Sequence, residues 1–257
     1  MRDLHWDGYP NARDLGGLPT ARSATGFTIP GRIARGPRRE LLTDEGWADA
    51  HRWGVSTIVD LRCEYEIGPQ TDDPDVDPAR TTALTIVNAP TEDHNNPEFR
   101  EACFPILDSP AYWEHNWRIL PHLVHGALQA IASAESGVLV HCSAGRDRTG
   151  MITALLLGNA GVPPEVVADD YAESVRAMAG VSAHTPTHDR QSGWTAVDVD
   201  TWVAQTRPLV RTVARDAEST LARLGMRESE RARLSDVLTS GTSPHSVTRG
   251  NGPAAHP

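Results

Sequence analysis

Apolar positions along the 257-residue chain follow two periods. Alternating or short β-branched runs predict strands at Arg32-Ile-Ala-Arg35, at 56–61, at 82–87 and at 137–141. Apolar residues three and four apart predict helices over 110–120, 123–134, from Met151 onward, from Pro164 onward, over about 199–224 and over 228–238. Thr43 ahead of Asp44 and Glu45, with Gly54 about three turns later, reads as a capped helix. Pro164 suits a first helical turn. The stretch from Asn11 to Gly17 has turn residues without a period and reads as a loop. Residues 181–198, with His184, Pro186, His188, Asp189, Gly193 and Trp194, read as a connecting loop in preference to a lid. Arg35 is expected to be exposed at its strand end.

Strands and helices in this order predict an α/β domain over 1–240 with a mainly parallel central sheet, helical from about 163 onward. A Gly/Ser/Pro/His-rich tail, 241–257, is expected to be disordered. Asp60 and the segment after His141 then both fall at strand C-terminal ends, where open α/β sheets bind ligands.

That segment is His141-Cys-Ser-Ala-Gly-Arg-Asp-Arg-Thr-Gly150. Between a buried strand and an apolar helix the chain must turn sharply, and Gly145 and Gly150 are read as easing the turn. Inward amides of Ser143, Ala144, Gly145, Arg146, Asp147 and Arg148, with a helix N-terminus, would bind a dianion. A thiol placed there is a nucleophile at neutral pH, which makes Cys142 the candidate. Arg148 offers a planar fork for two phosphoryl oxygens, and Thr149 a hydroxyl for the departing sulfur. His141 is read as tying the strand end by hydrogen bonding, not as a base. Cys63 and Cys103 are read as small buried hydrophobes.

The same residues resemble the cysteine-dependent protein tyrosine phosphatases, in particular a bacterial atypical branch acting on phosphoproteins and phosphoinositides. Asn11-Ala-Arg-Asp-Leu-Gly-Gly17, the stretch from Arg32-Ile-Ala-Arg-Gly36 through Leu42-Thr-Asp44 and Gly54-Val55 to Thr57-Ile-Val-Asp-Leu-Arg62 with Glu64 and Glu66, and the loop itself carry the likeness. The resemblance implies a three-layer α/β fold, a phosphocysteine intermediate and no metal or organic cofactor. Phosphotyrosine is the first expected substrate, then phosphoserine, phosphothreonine and phosphoinositides. It implies that Arg146, where the branch usually has lysine, faces a second substrate phosphate, and that 11–17 packs against the site, although Arg13 and Asp14 fit a structural ion pair equally well. Asp169, Asp170 and Tyr171 are implied as structural. For the general acid, Asp60 ranks first, Asp147 second and Asp93 third; a structural partner for Arg62 or Arg148 is an equal reading of Asp60.

A net charge of −10 argues against general nucleic-acid binding. Arg35, Arg38, Arg39, Arg146 and Arg148 are expected to form a local positive pocket, with a solvated charge run an equal reading for Arg38 and Arg39. Three irregularly spaced cysteines make no disulfide framework and fit a reduced, cytoplasmic setting. Met1 to Asp7 has no apolar core, so no cleavable leader is read, and export without one stays open. No apolar run is long enough to span a bilayer. His115, His122 and His125 lack further ligands and are read as surface or capping residues. The oligomeric state is left undetermined. Two other readings remain: a sulfurtransferase or arsenate reductase, and a non-catalytic phosphoprotein-binding module.

Overall fold

The computed structural model describes residues 2–135, 137–182, 187 and 190–241. His184, Pro186, His188 and Asp189 of the 181–198 stretch, and all but Gly241 of the expected tail, lie outside the described residues.

Among the described residues five strands form one sheet: β1 (Arg13–Asp14), β2 (Ile33–Gly36), β3 (Thr57–Asp60), β4 (Thr85–Asn88) and β5 (Val138–His141), in the order β1-β2-β5-β3-β4. Only β1 runs antiparallel to its neighbour; β2, β5, β3 and β4 are parallel. Register pairs Gly36 and Asp60 each with His141, and Asp60 with Asn88. The C-terminal ends of four strands therefore share one edge, as expected.

The inner strands are buried on both faces, with alternate residues entering different cores. Ala34, Ile58 and Leu139 pack with Trp6, Tyr9, Trp47 and Ala50, the last two on α1 (Asp44–Trp53). Ile33, Val59, Val138 and Val140 enter a larger core on the opposite face. That core is covered by α2 (Pro97–Cys103), α3 (Tyr112–Ile119), α4 (Pro121–Ser133), α5 (Asp147–Asn159), α6 (Pro164–Met178), α7 (Ala196–Arg215), α8 (Ala217–Arg223) and α9 (Glu228–Thr239). The result is a three-layer α/β fold. No helix among the described residues is long and apolar enough to cross a membrane.

Helix α1 begins and ends as read: the Thr43 hydroxyl accepts from the Gly46 amide at 3.1 Å, and Gly54 is left-handed at φ 108°. Four readings need correction. The 11–17 loop contains β1, because Arg13 and Asp14 pair with Arg35 and Ala34 at the sheet edge. Strand 82–87 starts later, at Thr85, after turns through 78–84. Helix α2 is additional; Asn96 caps it by accepting from the Phe99 amide at 3.0 Å, with Pro97 in its first turn. The long helix 199–224 is two, broken at Asp216. The α7–α8 junction crosses Gly158 of α5 so closely that a Cβ there would lie 2.4 Å from the Ala214 carbonyl oxygen and 2.7 Å from Ala217 Cβ.

Candidate active site

Strand β5 delivers His141 to the sheet edge and α5 begins at Asp147, so residues 142–146 make the whole turn. Gly145 carries a positive φ of 67°, and a Cβ on it would stand 2.4 Å from the Gly36 carbonyl oxygen. Gly150 has another role than the one read from sequence. It lies inside α5, and a Cβ there would sit 2.9 Å from the Tyr171 ring and 3.5 Å from Trp113. Gly150→Ala is therefore expected to cost about 1–3 kcal/mol through overpacking. A urea midpoint equal to that of the parent protein would show that these rings yield freely.

The carbonyls of the turn are held from outside. The Arg38 amide donates to Ser143 O at 2.8 Å, and Asn11 Nδ2 donates to Ala144 O and Gly145 O, each at 3.3 Å. Arg35 donates to Gly145 O at 2.6 Å, and the Gly150 amide to Arg146 O at 2.8 Å. A loop at a helix N-terminus whose carbonyls are engaged elsewhere has the make-up of an anion cup, its N–H groups left to face a ligand. Cys142 is at its base, 2% exposed and free of any disulfide. The Thr149 hydroxyl is fully buried and has no hydrogen-bond partner among the described residues. The ring of His141 bonds the Cys142 carbonyl through Nδ1 at 3.0 Å and approaches Asp60 through Nε2 at 3.6 Å. Burial, partly opposed by Asp60, brings this imidazole down to about 4. It is neutral at pH 7 and ties the strand end, as read.

The Arg148 guanidinium is gripped at both ends by Glu66, at 2.5 and 2.8 Å, with Glu92 3.7 Å away. Glu66 is itself steadied by the Cys63 amide, which donates to Oε2 at 2.9 Å. Such a clamp fixes the plane of the arginine fork before an oxyanion arrives.

The expected positive pocket is corrected by the same pattern. Arg35 is 1% exposed, not at the surface, because its guanidinium meets the buried Asp170. Arg38 is paired with Asp73, Arg39 with Asp60 at 2.9 Å, and Arg146 with Asp147 at 3.0 Å. Every cation read as part of the pocket thus has a carboxylate partner. Arg13 also pairs with Asp170, not with Asp14, whose oxygens accept from the Gly16 and Gly31 amides and the Trp53 indole. The 11–17 segment does pack against the site, through Asn11.

The acid candidates separate clearly. Asp60 is fully buried and accepts from Arg62 Nε at 2.9 Å, Arg62 Nη2 at 2.7 Å, the Arg62 amide at 3.1 Å and Arg39 at 2.9 Å. Burial would raise its carboxyl, but His141 and Arg62 outweigh this and hold it down to about 2. A group held ionised in this way has no proton to donate at neutral pH, so its surroundings fit the structural reading. Asp147 is partly exposed at the start of α5, with the Tyr171 hydroxyl 3.5 Å away. Burial pushes its carboxyl up; Arg146 opposes this, while Asp108 and Glu92 add to it. Arg146 is 3% exposed, its guanidinium 5.0 Å above the Trp194 ring and donating to the Asp108 carbonyl at 3.3 Å. Asp93 caps its own loop through the Asn95 amide at 2.9 Å. Glu66, Glu92 and Asp170 were not singled out as site residues; the acidic pair flanking Tyr65 was the available signal for Glu66.

A thiol at the base of an amide-lined turn, followed by a clamped arginine and a buried threonine on an α/β sheet edge, defines a cysteine-based phosphatase scaffold. The tyrosine phosphatase family model matches residues 4–239, and the chain belongs to that family. It is 28% identical over 189 residues to the triple specificity protein phosphatase PtpB of Mycobacterium tuberculosis, an alignment covering 64% of this chain and 66% of that protein. A tyrosine-protein phosphatase of Nostoc commune is 49% identical over 53 residues, covering 20% of this chain and 18% of that protein.

Proposed function

We propose that the protein hydrolyses phosphate monoesters through a phosphocysteine intermediate, with protein phosphotyrosine as its main substrate. The observation that carries this reading is the loop itself: Cys142 opens a turn whose Ser143, Ala144 and Gly145 carbonyls are taken up by Arg38, Asn11 and Arg35, with an arginine locked by Glu66 at the helix that follows. Cys142, as thiolate, attacks phosphorus while the bond to the leaving oxygen breaks, and that oxygen takes a proton from Asp147. Water then attacks phosphorus, the sulfur–phosphorus bond breaks, and Asp147 takes the proton back. Arg148 and the amides stabilise the equatorial oxygens in both steps, and Thr149 donates to the departing sulfur. Arg146 acts here as the support of Asp147. A nucleophile only 2% exposed favours the long aryl ester over a short seryl one. Three buried free cysteines suit a reducing compartment such as the cytoplasm.

Phosphate release from phosphotyrosyl peptides, phosphoseryl peptides and phosphoinositides, with Cys142→Ser as blank, tests the reading. Preference for the aryl ester is expected. Release no greater than the blank on all three substrates defeats it, and equal rates on all three defeat the proposed preference.

Asp147→Asn is expected to lower kcat on phosphotyrosyl peptide by about 10²-fold, and by less on a nitrophenyl ester that leaves without protonation. The sign of the pH effect follows from the donor's role. The acid form is required and its carboxyl is raised, so activity falls as pH increases through that value, and the variant lacks this fall. An unchanged profile removes Asp147 from the mechanism and returns the role to another group.

A further inference from the structure

Behind the arginine clamp, Cys63, Glu66 and His94 bring a thiol, a carboxylate and an imidazole together, their ligand atoms all within 4.8 Å of one another. Cys63 precedes the short turn Glu64–Glu66 that follows β3, and His94 lies in the loop before α2. Both are buried, at 8% and 6% exposed. A pocket of about 540 Å³ reaches Cys63, Tyr65, Glu92 and His94 from solvent. Neither the Cys63 thiol nor the His94 ring has a part in the phosphoryl transfer described above.

The donor set matches a particular class of cation. Sulfur, nitrogen and carboxylate oxygen together suit zinc and its borderline neighbours, whereas magnesium and calcium take oxygen alone. His94 already has a partner on each ring nitrogen: Glu92 at 2.7 Å on Nε2 and the Tyr65 hydroxyl on Nδ1. Whichever nitrogen ligates, the other keeps an orienting partner, the arrangement that supports histidine at metal centres. The Cys63 thiol donates to the Glu92 carbonyl, at 3.3 Å, and a pocket open to water leaves room for a fourth ligand.

We propose that Cys63, Glu66 and His94 form a regulatory site for a zinc-class cation, whose binding draws Glu66 away from Arg148 and slows phosphoryl transfer. Binding exchanges one divalent cation for the thiol proton of Cys63, which passes to water; nothing is oxidised or reduced. Glu66 is the shared element. Its two oxygens now hold the Arg148 fork, and any oxygen given to the cation is lost to the clamp. The inhibitory half rests on the phosphatase reading, and the binding half does not.

The deciding experiment uses the full-length Cys142→Ser protein, so that the nucleophile binds no metal. Titration with Co²⁺ is expected to give one equivalent bound, a thiolate-to-cobalt charge-transfer absorption and release of one proton. Zn²⁺ is expected to displace it. Adding Cys63→Ser should abolish the absorption, and either Cys63→Ser or His94→Gln should weaken Zn²⁺ at least about tenfold. An absorption that survives Cys63→Ser, or no binding by the parent protein, overturns the site. The two substitutions lie on separate segments, so a folding defect in one, seen by circular dichroism, leaves the other to decide. With Cys142 present, His94→Gln should keep its metal-free activity and need at least about tenfold more Zn²⁺ for half-inhibition; unchanged inhibition overturns the regulatory half. If no phosphatase activity exists, the cobalt titration still decides the site.

Discussion

Cys142→Ser is expected to lower turnover of phosphotyrosyl peptide by about 10⁴-fold or more, while the protein still binds inorganic phosphate. A serine hydroxyl at this depth stays protonated and cannot attack phosphorus at a useful rate. The cup remains, because it is built from groups other than this side chain: Arg38, Asn11, Arg35 and Gly150 hold the loop carbonyls. Parallel measurements are needed, kcat on the peptide and calorimetric titration with phosphate. Turnover within tenfold of the parent would mean that another group is the nucleophile. Loss of phosphate binding together with turnover would mean that the loop itself had collapsed.

Asp170→Asn should have the largest effect on stability. The carboxylate is 1% exposed and meets Arg2, Arg13 and Arg35 together. Arg13 also keeps Glu173 at 3.1 Å, but Arg35 is 1% exposed and depends on Asp170 for its counter-charge. Removing one member of a buried ion pair typically costs about 3–5 kcal/mol. The effect also reaches the site, since Arg35 donates to the Gly145 carbonyl at 2.6 Å and so helps orient that peptide. Urea unfolding should show the lower midpoint. Burial would raise the Asp170 carboxyl, but Arg13, Arg35 and Arg2 hold it far below the ordinary carboxylate range. The sign is then fixed: its contribution is complete above the unfolded value of about 3.9 and shrinks as pH falls below it. The gap between parent and variant should narrow only in that acid range. A midpoint that does not move at pH 7 refutes the account.

Much of the local structure was legible because its causes are local. Thr43 and Gly54 bound α1 through their own backbone demands. The short β-branched and apolar runs in 56–61 and 137–141 report strands buried on both faces. The Cys142-to-Thr149 spacing implies a loop ahead of a helix. Readings went astray where distant chain decided. Asp216 interrupts an otherwise continuous helical period at the close crossing over Gly158. Arg35 looked exposed because its partner lies 135 residues away. Helix α2 was missed although Asn96-Pro97 marks its start, since the polar stretch before it masks the spacing of Phe99 and Cys103.

By itself, the sequence determined the loop that carries Cys142, the alternation of strands and helices, and the family to which the chain belongs. Residue type and short spacing carry that information, because a sharp turn, a cap or a thiol beside an arginine is specified within a few residues. Only the tertiary structure decided which charges are free. It assigned Asp60 to Arg62 and Arg39, left Asp147 with a raised carboxyl, placed Trp194 over Arg146 and closed Glu66 around Arg148. Both Asp60 and Asp147 meet a guanidinium at about 3 Å; they differ because Arg62, Arg39 and His141 converge on Asp60, whereas on Asp147 the attraction of Arg146 is opposed by burial and by Asp108 and Glu92.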